Sequence, residues 1–181
     1  VVLLHTGSTG VDGGGTLNIG STLAATTGLT ATGAGSILDI DGFITAPSSI
    51  TTVNVNDGAK LDIQNAASDA LSNVSNLSLA NTSGVTLSLD NNDTITLVTN
   101  GASNGNNQVT IDITDLNIDS TGPTNYNLID ATAAGTGGLT SSGTTYALGD
   151  TPGYLTSALS LIASDTLVAL TVSAAAGNDI Y

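Results

Sequence analysis

Four short segments of this chain share one plan. Gly15-Thr16-Leu17-Asn18-Ile19, Gly35-Ser36-Ile37-Leu38-Asp39-Ile40, Gly58-Ala59-Lys60-Leu61-Asp62-Ile63 and Gly84-Val85-Thr86-Leu87-Ser88-Leu89 each open on glycine. Each continues as a strand with two aliphatics on one face and a small polar residue between them. The glycines fall 20, 23 and 26 residues apart, in the range where solenoid repeats stack so that each turn covers the open face of the next. A sandwich of hairpins shows turn signals every 8–12 residues instead. Those are also present, because every coil has several corners. The spacing predicts an all-β, right-handed parallel β-helix, with an antiparallel β-sandwich as the alternative. On the helical reading Asn56-Asp57-Gly58 is a bend between two faces of one coil rather than a hairpin tip.

The rest of the chain fits strands better than helices. Further period-two segments run over 51–56, 76–79, 94–99, 109–114 and 126–129. The best helical stretch is 66–79 (Ala66-Ala67-Ser68-Asp69-Ala70-Leu71 onward), which predicts one or two helical turns. Leu155 to Ala163, then Ser164-Asp165, then Thr166 to Val172 read as a β-hairpin that closes one end. The 181 residues form one domain, with β-helix coils over 13–120 and terminal coils plus hairpin over 121–181. Seven or eight coils spaced by about 4.8 Å would make a rod of roughly 35–40 Å.

Composition supports this and removes several function classes. There is no Cys, Met or Trp, and aromatics are 3%, so the interior is built from Val, Ile, Leu and Ala, as a narrow bore requires. All 15 acidic residues are Asp, which suits turns where Glu would suit helices. A net charge of −14 with one basic residue leaves nothing to neutralise phosphate. Nucleic acid and anionic membrane surfaces are therefore excluded as partners, and a salty, divalent-rich exterior suits the chain. Val1-Val2-Leu3-Leu4 is too short for a signal peptide or a membrane span. With no methionine present, the chain reads as a processed product or a piece of something larger.

The units Gly-x-Leu-Asn/Asp-Ile are joined by Tyr126-Asn127-Leu128-Ile129-Asp130-Ala131, by Gly153-Tyr154 with Ala158-Leu159-Ser160-Leu161, and by Thr166-Leu167-Val168-Ala169-Leu170-Thr171-Val172. Together, from about residue 13 to 173, they resemble the autotransporter-associated β-strand repeats in passenger regions of large Gram-negative surface proteins. Members continue past such a strand with a Trp-containing segment, whereas this chain stops at Gly177-Asn178-Asp179-Ile180-Tyr181. The resemblance implies an extracellular β-helical stalk without catalysis of its own.

Residues with chemistry to offer are few. His5 has no Ser, Cys or ligand neighbour that would make a triad or a zinc site, and reads as an end residue. Asp39-Ile40-Asp41-Gly42 puts two carboxylates on one strand face, as an inverting glycosidase would need. A solvent-facing strand edge running into a Gly corner is the better explanation, and no Arg or Trp is available to hold a sugar. Asp90-Asn91-Asn92-Asp93, Asp57, and Asp112, Asp115 and Asp119 offer oxygen ligands of the kind calcium takes. None matches a known calcium loop, and turn formation accounts for them. Calcium, at Asp90, Asp93 and Asp57, is the one cofactor worth testing. Lys60 reads as a solvated corner lysine. The Asn-x-Ser/Thr triplets at Asn73, Asn76, Asn81 and Asn92 are expected by chance in so polar a chain. The expected function is a non-enzymatic stalk, adhesin passenger or matrix segment, extracellular or on the bacterial surface. The alternatives are a self-assembling filament or surface-layer subunit, pairing end to end through apolar termini, and a polysaccharide-active β-helix. Host or matrix glycans are the other expected partners.

Overall fold

The computed structural model describes residues 8–19, 28–40, 51–64, 70–80, 83–90, 93–105, 107–114, 124–135, 137–152 and 159–173. Among the described residues there are fourteen strands: β1 (Ser8–Asp12), β2 (Thr16–Ile19), β3 (Gly28–Thr32), β4 (Ile37–Ile40), β5 (Thr52–Asn56), β6 (Lys60–Asp62) and β7 (Ala70–Ala80). The chain continues with β8 (Val85–Leu89), β9 (Thr94–Ala102), β10 (Gln108–Ile113), β11 (Thr124–Asp130), β12 (Thr145–Leu148), β13 (Leu159–Ala163) and β14 (Leu167–Val172). The odd strands and β14 form one sheet, in the order β1-β3-β5-β7-β9-β11-β14-β13, and the even strands up to β12 form a second, β12-β10-β8-β6-β4-β2. All pairings up to β12 are parallel. Each odd strand therefore crosses to the other sheet before the chain returns one level higher. This is a parallel β-helix, and the sandwich is set aside.

The register shows what the repeated unit encodes. Leu17 lies beside Leu38, Leu38 beside Leu61, Leu61 beside Leu87, Leu87 beside Ile111 and Ile111 beside Leu148. In the facing sheet Leu29, Val53 and Leu77 form one inward row and Ala31, Val55 and Leu79 another. Leu38, Leu61, Leu87, Val53 and Leu77 are all fully buried. A buried side chain of this size contributes about 1.5–3 kcal/mol, so the ladders are the main favourable term. The 20–26-residue glycine spacing is the length of one coil.

The Asn-Asp-Gly segment carries β5 in one sheet to β6 in the other. It is a bend within a coil, as expected. Asp57 (φ 54) and Gly58 (φ 81) make the turn in the left-handed region, which Asp tolerates and Gly adopts freely. Gly58 stacks closely over Ala34 of the preceding coil. Ser36, fully buried at the corner below, donates from Oγ to Thr32 O (2.7 Å) and accepts from Gly14 N–H (3.1 Å). Neighbouring corners are thereby tied by a side chain as well as by the ladder.

Two expectations need correction. Residues 70–79 are not helical: they belong to β7, which pairs with β5 on one side and β9 on the other. β9 pairs along β7 from Ala70 to Leu77 and β5 from Asn76 to Ala80, and this pairing outweighs the helix propensity of Ala and Leu. Residues 66–69 lie outside the described residues. The solenoid has six strand pairs among the described residues, rather than seven or eight coils. The hairpin provides two further strands of the eight-stranded sheet, which at about 4.8 Å per strand is roughly 34 Å tall.

That hairpin is the expected one. β13 and β14 are antiparallel, with Leu161 opposite Leu170 and Leu159 opposite Val172, and β14 runs antiparallel to β11. Leu159 and Leu161 rest on the aliphatic core. The turn is docked too, since Gly138 N–H donates to Asp165 Oδ1 (3.1 Å), Leu139 N–H to Asp165 O (3.0 Å) and Ala131 N–H to Thr166 O (2.9 Å). Parallel stacking therefore stops in this sheet at β11.

Candidate functional site

The acidic corner expected to suit calcium is a backbone lock. Asp90 follows β8 and Asp93 precedes β9; they are 5% and 1% exposed. Asp93 N–H donates to Asp90 O (2.7 Å), and Asp90 N–H donates to Asp93 Oδ2 (2.7 Å). Reciprocal bonds of this kind are how Asp closes a tight turn. Asp57 sits at a corner leading from an odd strand to an even one, whereas Asp90 and Asp93 lead from even to odd. The fold places these corners along opposite edges of the solenoid and does not bring the three carboxylates together. Asn91, Asn92, Asp115 and Asp119 lie outside the described residues. Among the described residues no group of three or more His, Cys, Asp or Glu is placed to hold a metal ion.

The other sequence candidates are equally dispersed. Asp39 faces outward on β4, where Asn18 Nδ2 donates to its Oδ2 (2.9 Å). Asp41, Gly42 and His5 lie outside the described residues. Lys60 begins β6 and pairs with Asp62 at 2.9 Å, with side chains 31% and 21% exposed. Such a pair adds little stability. Asp112 Oδ1 accepts from Asp150 N–H (2.9 Å), which fastens the chain beyond β12 to β10. Asn73 and Asn76 lie within β7, while Asn81 and Asn92 lie outside the described residues.

The most developed polar cluster was not anticipated. Asn104, 7% exposed, follows β9. Its Oδ1 accepts from Leu79 N–H (3.1 Å) in the coil below, and its Nδ2 donates to Leu139 O (2.7 Å) and Tyr146 Oη (3.2 Å) in the coil above. Tyr146 Oη donates to Leu139 O (2.8 Å). Ser141 Oγ accepts from Asn104 N–H (3.2 Å), and Thr144 Oγ1 donates to Gly105 O. Burial, aided by the Asp165 charge, holds the Tyr146 phenol well above its ordinary range despite the Asn104 hydrogen bond. It stays a neutral donor and cannot serve as a base. The Asn104 side chain, Ser141 and Thr144 join successive coils, and Tyr146 braces the upper one, so the cluster is a fastener. Only seeing residues 79, 104, 139 and 146 side by side would have found it.

Asp130, at the end of β11, is held below the usual carboxylate range. The Thr132 hydroxyl is the main cause, burial opposes it, and Thr132 N–H and Asn127 Nδ2 add to it. All of these partners fold the corner after β11 and none points to a ligand.

No protein-family model matches the chain, and no curated protein or solved structure matches it either. No helix among the described residues is long and apolar enough to cross a membrane.

Proposed function

We propose that the chain is a non-catalytic structural segment of a secreted or surface-displayed bacterial protein, acting as a stalk, adhesin passenger or matrix component. The observation that carries this reading is the unbroken inward ladder from Leu17 to Leu148, which spends the chain's aliphatics on one continuous bore. A solenoid of this kind is a spacer whose stiffness comes from nearest-neighbour stacking. The low content of charge and the turns built from Asp, Asn and Gly suit an exterior setting. The resemblance of the Gly-x-Leu-Asn/Asp-Ile units and of Thr166 to Val172 to autotransporter-associated repeats supports the same reading, with a Gram-negative surface as the setting. The docked hairpin favours a bounded segment over a filament growing by parallel stacking at both ends.

The test is immunogold labelling of the organism that makes the chain, with antibodies raised against the folded protein. Intact cells or their surrounding matrix are expected to label as strongly as permeabilised ones. Label that appears only after permeabilisation would overturn the proposal.

A further inference from the structure

Asn-Gly occurs twice in this chain, at Asn100-Gly101 and Asn104-Gly105. Each is preceded by a small hydroxyl residue, Thr99 and Ser103, so the local sequence treats the two alike. The fold does not. Asn100 lies where β9 leaves its ladder. Val74 of β7 pairs with Leu97 and Asn76 pairs with Gly101, so Ser75 alone faces Val98, Thr99 and Asn100. Surplus residues of this kind form a bulge, which bends the strand and takes the backbone out of the regular pleat. On its other side β9 pairs with β11 at Ile95 and Thr96, short of the bulge. Gly101 closes the bulge at φ 74, a region that glycine adopts freely. Asn100 is exposed.

Asn104-Gly105 is fastened instead. Asn104 is 7% exposed, its Oδ1 accepts from Leu79 N–H (3.1 Å) and its Nδ2 donates to Leu139 O (2.7 Å). The backbone nitrogen that follows is committed as well, since Gly105 N–H donates to Leu79 O (3.3 Å).

We propose that Asn100 is a self-modification site, where the Gly101 backbone nitrogen and water convert the side-chain amide to a carboxylate while the chain stays folded. The Gly101 nitrogen attacks Asn100 Cγ, and the new N–Cγ bond closes a succinimide ring. The Cγ–Nδ2 bond breaks, and the departing nitrogen takes up the Gly101 amide proton and leaves as ammonia. Water then adds to one of the two ring carbonyls. Addition at Cγ returns the ordinary backbone with aspartate. Addition at the main-chain carbonyl gives isoaspartate, whose backbone runs through Cγ and is one carbon longer. Glycine permits the closure because no side chain shields its nitrogen. The bulge absorbs the added length, whereas a laddered position would lose its register. Each event also adds a negative charge to a chain already at −14. At Asn104 the same change would replace the donor facing Leu139 O by a carboxylate oxygen, so protection there preserves the fastener.

The experiment holds the full chain in mildly alkaline buffer, one sample folded and one unfolded in guanidinium chloride, and follows peptide masses with time. In the folded sample the peptide carrying Asn100 is expected to gain about 1 Da, with isoaspartate identified by electron-transfer fragmentation. Asn100 is expected to react about tenfold faster than Asn104 or more. In guanidinium chloride the two are expected to agree within about threefold, because the fold alone separates them. Folded Asn100→Gln is expected to lose most of the ammonia release, and the converted protein to keep the parental melting temperature. An unmodified Asn100, equal rates at Asn100 and Asn104 in the folded chain, or a difference that persists after unfolding would overturn the proposal. So would undiminished ammonia release from Asn100→Gln, or a melting transition lost as Asn100 converts. These outcomes are independent of where the cell displays the chain.

Discussion

Replacing Leu87 by aspartate is expected to abolish cooperative folding at neutral pH. Leu87 is fully buried in the middle of the six-stranded sheet, between Leu61 below and Ile111 above. A carboxylate there leaves water without compensation, since the chain has a single basic residue and Lys60 is already paired at the surface. An unpaired buried charge costs several kcal/mol at least. Total stability is about 5–15 kcal/mol for a domain. Leu87→Ala removes the ladder contacts without adding charge and is expected to cost about 2–5 kcal/mol. The neighbouring Thr86 points outward and lies beside Lys60 in register. Thr86→Asp is therefore expected to stay within about 0.5 kcal/mol of the parent, as surface changes do. Circular dichroism and urea midpoints on the three variants check this. A folded Leu87→Asp protein with a parental midpoint would remove the bore.

The second large effect is at Gly138. Its φ of +97° already disfavours any side chain, and an added Cβ would run into the carbonyl oxygen of Ala102. That carbonyl belongs to β9, and Ala102 N–H donates to Gly137 O (2.7 Å), so backbone meets backbone and neither can rotate away. Gly138 N–H also holds Asp165, the residue that docks the terminal hairpin. Gly138→Ala is expected to cost about 3 kcal/mol or more, combining left-handed strain with the forced separation of two coils. Gly135, in the same loop and also at positive φ (74°), has open space where its Cβ would sit. Gly135→Ala is expected to cost only the strain, about 1 kcal/mol. Chemical denaturation separates the two, and equal costs would show that Gly138 is not a packing position. Loss of the hairpin would also expose the edge of β11, so Gly138→Ala is expected to aggregate where Gly135→Ala does not.

β2, β4, β6 and β8 were legible because each brings a Leu two residues before an Ile or Leu, just past a small-residue corner, and that pattern is also the structural repeat. Asp57-Gly58 announced its bend by residue type alone. β1 and β3 were not legible. Ser-Thr-Gly-Val-Asp and Gly-Leu-Thr-Ala-Thr hold too few aliphatics to signal a strand, and they are strands because β5 offers an edge to β3 and β3 offers one to β1. The first part of β7 looked helical because Ala70, Leu71 and Val74 fall at helical spacing. It is extended all the same, paired with β9 from Ala70 onward and with β5 from Asn76 onward. β12 begins 37 residues after the position on β10 that it pairs with, Gln108 with Thr145, so no period reaches it. Its place is set by Tyr146 meeting Asn104. Asp90 and Asp93 were visible as an oxygen-rich corner. That their carbonyl and carboxylate groups bind each other's N–H groups is a fact of conformation, not of composition.

The winding itself is the central claim, and the lack of native cysteine gives a direct way to test it. Thr30 and Asn54 are 24 residues apart in sequence but adjacent in the sheet, as are Asn54 and Ser78, while Thr30 and Ser78 are separated by a strand. Paired cysteines at Thr30 and Asn54, and separately at Asn54 and Ser78, are expected to bridge rapidly with a short thiol-specific cross-linker, because neighbouring strands bring their Cα atoms to about 5 Å. Cysteines at Thr30 and Ser78, about twice as far apart, are expected not to bridge. Efficient bridging of Thr30 to Ser78 together with failure of the two adjacent pairs would mean that the segments are not stacked in parallel, and the solenoid with everything placed on its faces would be wrong.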